Sequence, residues 1–371
     1  MKELLRKFLR NLKKKNLAKG YAKVYKKCIQ VNPEFKNHVK GEEEWLAKWR
    51  KYDKNIKPTA YRIFSHYIGH NVNILPLEYS CRELEPQMTP YLFTDYYNDK
   101  NSFHKLYPKD SMPTLFLRNV RGYFMDADYR ILLEDEINKR IDDINAPKIV
   151  VKPSRKSCGR GFCAFERIDG HFVNADGNIL SVAYLQKEYK RDFLIMEWAN
   201  QSLFMSQFNN TSLNIIRIAT YRDKLGVLHP LNASLCFGGV GEKLANPSHG
   251  GISCGISKEG VLANYVFDEW GKVFYEYNGI NFKQEIFHIP NWDKVQDFAI
   301  LISNEIIHHD LVALDLYLDE NNNPKLVESN VGSFAAGWYQ RAGYPAFGEF
   351  TDEILQRYTS GEYDEDFRIL L

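Results

Sequence analysis

The chain has 371 residues, 44 % of them hydrophobic and 14 % aromatic, and a formal net charge of only +2. That is apolar material for one large unit or two to three smaller ones with real cores. No apolar run reaches the roughly 18 to 20 residues of a spanning helix, and the opening MKELLRKFLRNLKKK lacks the unbroken apolar core of a secretory signal, so a soluble cytoplasmic protein is expected.

The charge is unevenly spread. Residues 1–27 hold eleven Lys or Arg against one acid, which leaves the remainder of the chain net acidic. In the same segment Leu4, Leu5, Phe8, Leu9 and Leu12, then Leu17, Tyr21, Val24, Tyr25 and Cys28, recur at three- and four-residue steps. The spacing predicts a basic amphipathic helix over 1–28, with an apolar stripe on one side and lysines on the other. Such a helix either packs on its own domain with a solvated basic face, or lies on an anionic membrane surface or polyanionic partner. Docking would place the protein at the inner face of the membrane. Nucleic acid is not an expected partner, because the rest of the chain is acidic and shows no reader motif.

A helical region over 29–95 follows, with helices in EEEWLAKWRKY and PTAYRIFSHYIG and then an irregular, proline-containing stretch over 73–98. From 96 to 198 strands (TLFLRNV, GYFMDA, KIVVKP, GFCAFERI, DFLIMEW) alternate with helices (YRILLEDEINKRI, VAYLQKEY), which implies an α/β layer as a first subdomain. The remainder, 199–371, carries long β runs, a helix over about 290–308, a hairpin and a last helix near 350–359. This second subdomain should be mainly antiparallel, and the expected fold class is α+β. The six cysteines, Cys28, Cys81, Cys158, Cys163, Cys236 and Cys254, form no Cys-x-x-Cys pair, so they are expected to be reduced packing thiols.

The hairpin ALDLYLDENNNPKLVESNVG, residues 313–332, carries the most chemistry. With residues 320–323 as its loop, Asp319 pairs with Pro324 and Asp315 lies opposite Glu328. Directly opposed side chains sit about 4.5 to 5.5 Å apart at Cβ, where like charges repel. Asn330 joins that face, while Leu314, Leu316, Leu318 and Val327 take the other. A cation resolves the repulsion, and a set of Asp, Glu and Asn oxygens suits Mg²⁺; an exposed hairpin face with ordinary polar residues is equally compatible with this segment alone.

A second motif is IVVKPSRKSCGRGF, a strand ending in Lys152, a loop over 154–161 and a further strand. Gly159 and Gly161 let backbone N–H groups turn toward an anion, and Ser154 and Ser157 add donors, so the loop can cradle phosphate; it is not a P-loop, and a plain glycine turn is the bland alternative. Farther on, FLIMEWANQ runs from an apolar strand into a polar segment whose backbone near Glu197 and Trp198 can meet an adenine edge.

Taken in order, Lys100 in NDKNSFHKLYP, Lys152 with its loop, MEW, and the Asp315, Glu328, Asn330 set resemble the ATP-grasp superfamily over about 95–345. SLNIIRIATYR, NPSHGGISCGISKEGVL, IPNWDKV and the hairpin narrow the resemblance to the sugar-transfer-associated ATP-grasp family and its teichuronopeptide-type relatives. The resemblance implies two α+β subdomains clasping ATP. Lys100 and Lys152 would contact phosphates beneath the loop, main chain at Met196, Glu197 and Trp198 would hold adenine, and Asp315, Glu328 and Asn330 would hold Mg²⁺.

Arg217, on an otherwise apolar strand, reads either as a phosphate-binding catalytic residue beside Lys152 or as half of a structural ion pair. Asn246, His249 and Gly250 form a turn that borders an acceptor or is a plain β-turn. One departure stands out: several ligases of the superfamily carry an arginine two residues before the first metal aspartate, where this chain has Ala313. The implied function is an ADP-forming carboxylate–amine ligase that attaches an amino acid to a sugar or sugar-acid unit of a surface polysaccharide or capsule. A phosphotransferase on a sugar or small metabolite and a non-catalytic nucleotide-binding scaffold at the membrane are the alternatives.

Overall fold

The computed structural model describes residues 2–156, 159–239, 245, 250–332 and 334–361. The chain opens with one continuous helix, α1 (Lys2–Val31), followed by α2 (Glu42–Trp49) and α3 (Thr59–Ile68). The stretch expected to be irregular is instead a series of short helices: α4 (Leu77–Tyr79), a π-turn over Ser80–Leu84, α5 (Glu85–Met88) and α6 (Tyr91–Asn98). Its prolines sit where helices begin, with Pro86 in the first turn of α5 and Pro90 at the cap of α6, so the missing N–H costs nothing. Trp45, Trp49, Tyr61 and Phe64 are fully buried at the centre of this region. Both indole N–H groups are satisfied, Trp45 donating to the Ile74 carbonyl at 2.7 Å and Trp49 to that of Val72 at 2.9 Å.

After α7 (Phe103–Leu106) comes a six-stranded sheet of β1 (Leu115–Val120), β2 (Tyr123–Met125), β3 (Lys148–Pro153), β4 (Cys163–Ile168), β5 (His171–Asn174) and β6 (Phe193–Glu197), in the order β2-β1-β6-β3-β4-β5. Helices α8 (Glu134–Asp142) and α9 (Val182–Glu188) bury one face over Leu117, Ile149, Val151, Phe165 and Ile195. The opposite face holds only a small apolar cluster of Leu115, Val150, Leu194 and Met196. Alternation of strand and helix suggested an α/β layer, yet every pairing in this sheet is antiparallel. Helix α8 links β2 to β3 and α9 links β5 to β6, each pair separated by two strands in the sheet, so neither crossover joins parallel neighbours.

After the single turn α10 (Leu203–Ser206), the second sheet contains β7 (Ile215–Arg222), β8 (Leu228–Phe237), β9 (Ile252–Ile256), β10 (Leu262–Phe267) and β11 (Val273–Phe274). A separate ribbon, β12 (Glu276–Tyr277) with β13 (Ile280–Asn281), and α11 (Trp292–Asn304) precede β14 (Leu311–Leu318) and β15 (Pro324–Asn330). The sheet order is β11-β10-β9-β8-β7-β14-β15, again antiparallel. One face packs on α11 through Ile216, Ile218, Leu235, Leu314, Leu316 and Leu326. On the other, Ala219, Tyr221 and Leu311 meet the helical region together with α12 (Ala336–Arg341) and α13 (Thr351–Tyr358).

The hairpin joining β14 and β15 pairs Asp315 with Glu328, as its spacing predicts. The turn differs: the Asp319 N–H donates to the Asn323 carbonyl, and Leu318, not Asp319, lies opposite Pro324. A β-bulge between Asp315 and Leu316 takes up the one-residue difference. As a result Leu326, not Val327, enters the core, and Val327 remains half-buried.

Candidate active site

The polar end of the second sheet begins with Arg217. On β7 it is in register with Asp315 on β14, and its Nε and Nη2 donate to Asp315 Oδ1 and Oδ2, each at 2.8 Å. Burial pulls the guanidinium down, but the Asp315 charge and hydrogen bonds outweigh it and hold Arg217 above its ordinary value. Of its two sequence readings, the ion pair is the arrangement present. Ala313, in the position of the expected arginine, lies between Ala219 and Asn330 and is 1 % exposed.

Asp315 and Glu328 share a sheet face, and side chains resolve their repulsion: Arg217 holds one carboxylate, and Lys100 Nζ lies 2.8 Å from Glu328 Oε2. Asn330 stands two residues along the same face, its Nδ2 buried without a hydrogen-bond partner among the described residues. Two carboxylates and an amide, oxygen donors only, with an amide side chain whose nitrogen the protein leaves unbonded, fit a hard divalent cation such as Mg²⁺.

Lys100 is the junction between the two sheets. It is 8 % exposed, and its own N–H donates to the Ser154 carbonyl at 3.0 Å. Its ammonium donates to the Lys156 carbonyl at 3.3 Å while reaching Glu328, so one side chain touches both the glycine loop and the carboxylate face. The surrounding segment reinforces the seam. Asn98 exchanges hydrogen bonds with the Val331 backbone, Arg155 pairs with Asp99 at 2.7 Å, and Tyr107 donates to Ser329 Oγ at 2.9 Å.

Lys152, next to last in β3, is in register with Leu194 of β6, which is in turn in register with Arg118 of β1, so the three share the face opposite α8 and α9. Burial, then the Lys100 charge, pushes the Lys152 ammonium down to about 8, against an opposing pull from Glu328. Burial, with the charges of Arg118 and Lys152, also lowers His104 to about 4, so its imidazole is neutral. In the loop, Ser154 Oγ is buried with no hydrogen-bond partner among the described residues, and Gly159 and Gly161 adopt φ of 67° and 77°. A Cβ at Gly161 would come within 2.8 Å of Pro153 Cγ, which makes glycine necessary there. An orphaned hydroxyl, two left-handed glycines and a cationic floor together make an anion-binding concavity.

At the end of β6, Met196 is 4 % exposed and belongs to the small apolar cluster on this face. The Glu197 N–H donates to the Thr114 carbonyl at 2.8 Å and that of Trp198 to the Lys148 carbonyl at 3.4 Å. Both amides are thus taken up by neighbouring backbone, which leaves a base edge the carbonyls and the apolar floor. Lys148 Nζ stacks 3.9 Å over the Trp198 ring, and Phe162 approaches the same ring at 6.0 Å. Gly250, ahead of β9, has φ of 78°, and its carbonyl lies so close to Gly239 that a Cβ there would meet it at 2.5 Å. Ser157, Asn246 and His249 lie outside the described residues.

Sequence reasoning missed Tyr339. Its hydroxyl is fully buried without a hydrogen-bond partner among the described residues; burial raises its pKa, the Arg217 charge opposes this, and the charges of Asp315 and Cys236 add to the rise. Its position just after the ESNVG motif was the available signal. Asn98, Asp99 and Tyr107 were missed as well, because their partners lie far along the chain.

The family model for sugar-transfer associated ATP-grasp matches residues 80–343. The chain belongs to that family and is an ATP-grasp enzyme. No curated protein matches it. Among solved structures, the VanG D-Ala:D-Ser ligase from Enterococcus faecalis is similar at 12 % identity and a TM-score of 0.40, over 70 % of this chain and 61 % of that one. The D-cycloserine synthetase DcsG is similar at 10 % identity and a TM-score of 0.39, over 76 % and 74 %. The N5-carboxyaminoimidazole ribonucleotide synthetase from Thermotoga maritima is similar at 9 % identity and a TM-score of 0.34, over 68 % and 49 %. This chain spans about half the length of several solved chains that it resembles.

Proposed function

We propose that the chain is an ATP-dependent carboxylate–amine ligase that joins an amino acid to a sugar or sugar-acid unit of a surface polysaccharide. The observation that carries the reading is Lys100, whose ammonium lies against both the glycine loop and Glu328. ATP phosphates that settle beneath the loop meet Lys100 and Lys152 on one side and the carboxylate face on the other.

A carboxylate oxygen of the first substrate attacks the γ-phosphorus, and the bond to the bridging oxygen breaks as ADP leaves. The amine nitrogen of the second substrate then attacks the acyl carbon, and phosphate departs with the bonding pair while the nitrogen loses a proton. Phosphoryl transfer of this kind needs charge neutralised and oxygens positioned, and no protein nucleophile. Lys100 and Lys152 bind phosphate oxygens, and Ser154 donates from the loop. Leu115, Val150, Leu194 and Met196 floor the base, with main chain at 196–198 along its edge. Arg217 acts through Asp315 as a positioning residue. Asp315, Glu328 and Asn330 would hold Mg²⁺, which when bound neutralises phosphate charge.

One observation favours a second reading, phosphoryl transfer to a hydroxyl that stops at the phosphoester. A ligase must stabilise an acyl-phosphate oxyanion, and here the expected arginine is Ala313 while Arg217 donates from Nε and Nη2 to Asp315. Phosphorus NMR of the protein with Mg-ATP and an extract containing amino acids and sugar nucleotides separates the two. ADP with orthophosphate, dependent on the extract and absent in Glu328→Gln, is the expected result. ADP with a new phosphoester signal would replace the ligase by the kinase.

A further inference from the structure

The long first helix does not carry one apolar stripe. At about 100° per residue, Leu17, Tyr21, Val24, Tyr25 and Cys28 fall on one side, and Leu5, Phe8, Leu9 and Leu12 fall roughly 150° around from them. The structure uses the first set. Tyr25 and Cys28 are buried, Tyr21 and Val24 pack against the same core, and Tyr25 Oη donates to Glu78 at 2.6 Å. Arg341 donates to Cys28 Sγ at 3.3 Å, and Lys14, on the inner side, pairs with Glu83.

The second set points the other way. Leu5, Phe8 and Leu12 are 50, 62 and 45 % exposed. Below them on the same outer side come Lys15, Lys19, Lys23 and Lys26, all exposed. The outer face of one helix of about 45 Å therefore has an apolar end and a lysine row. A helix folded only for its own domain would extend its inner stripe along its whole length. Here the apolar residues change sides, so the outward end is built for something else.

We propose that this outer face docks on an anionic lipid surface, with Leu5, Phe8 and Leu12 entering the headgroup boundary and the lysine row lying on acidic headgroups. Charge selects that occupant. The segment carries eleven basic residues against one acid while the rest of the chain is net acidic, and Lys15, Lys19, Lys23 and Lys26 place four of the eleven on the outer side, which favours this segment over the rest of the chain against a negative surface. An apolar end followed by a lysine row along one helix face matches the mixed apolar and anionic chemistry of a bilayer surface, whereas a soluble polyanion would need the lysines alone. The assignment is independent of the reaction.

The test is co-sedimentation of the full chain with phosphatidylcholine vesicles and with vesicles that also contain phosphatidylglycerol. Three proteins are compared: the wild type, a Leu5→Asp/Phe8→Asp variant and a Lys15→Gln/Lys19→Gln/Lys23→Gln/Lys26→Gln variant. All six substituted side chains are exposed, so unchanged thermal midpoints are expected to show intact folds. The expected result is binding only to the phosphatidylglycerol vesicles, weakened by salt and by at least about tenfold in each variant. The proposal is overturned if the wild type ignores anionic vesicles, or if the Asp variant binds as well as wild type, which would make the face a site for soluble polyanions. It is also overturned if light scattering finds a dimer that the Asp variant alone dissolves, since a second copy would then cover the apolar end.

Discussion

The two sheets approach the same site with opposite resources. The first offers a small buried apolar cluster, Leu115, Val150, Leu194 and Met196, with Lys152 on the same face and a glycine loop whose Ser154 hydroxyl has no partner among the described residues. The second offers a face crowded with charge, in which Asp315 and Glu328 oppose each other on adjacent strands and each is held by a cation. One side suits a flat base and phosphates; the other suits a metal and the reacting groups. The difference shows how neither sheet is a site alone, and why Lys100, reaching from the loop to Glu328, is the residue on which the two depend.

The sharpest way to break this comparison is to remove charge from the second sheet. Glu328→Gln should lower turnover by at least about a thousandfold, in the range seen when a preorganised electrostatic group is lost. Lys100 loses its ion pair but keeps the Lys156 carbonyl and can still donate to a glutamine oxygen at position 328, so the unfolding midpoint should fall by less than in Asp315→Asn. Asp315→Asn should abolish turnover and also destabilise the fold by about 3 kcal/mol, since it strands the Arg217 charge in a largely buried site. Steady-state rates with urea unfolding of both variants check the contrast. Equal stability in the two would mean that Arg217 does not depend on Asp315.

Cutting the junction comes next. Lys100→Met should reduce kcat/KM for ATP by about a hundredfold, read from initial rates. The pH dependence of Lys152 sharpens the role of the first sheet. In the proposed role its ammonium would bind phosphate only when protonated, and burial with Lys100 lowers it to about 8, so its charge is lost as pH rises through that value. Nucleotide affinity should therefore fall above pH 8, by at most about tenfold per unit, and Lys152→Met should be weaker at neutral pH with that slope absent. Isothermal titration across the pH range reads both. The smallest effect is expected from Gly161→Ala, where a φ of 77° and the contact with Pro153 should cost about 1 kcal/mol of stability and a few-fold in ATP affinity.

The sequence revealed which hairpin carboxylates oppose each other better than how the hairpin turns. The opposition of Asp315 and Glu328 follows from spacing alone, but it survived through two compensating departures, a longer turn and a bulge that no local residue signals. Leu326 and Val327 exchanged places for that reason. The partner of Arg217 was illegible because the β7–β14 pairing joins residues 98 apart, and strand neighbours at that distance leave no local pattern. The same holds for Asn98 with Val331 and Tyr107 with Ser329. In the first helix, recurrence at three- and four-residue steps was visible, yet the step between Leu12 and Leu17 moves the stripe to the other side. Counting apolar residues along the chain hides this, and only the buried face exposes it.

The central claim, that the carboxylate face of the second sheet and the cationic loop of the first form one nucleotide site, is tested most directly by calorimetric titration with ATP, with magnesium present and with it chelated. Wild type should bind Mg-ATP at least tenfold more tightly than free ATP, and Glu328→Gln should retain free-ATP binding while losing the magnesium gain. A Glu328→Gln protein with an undiminished magnesium gain would contradict the account, as would a wild type to which magnesium makes no difference.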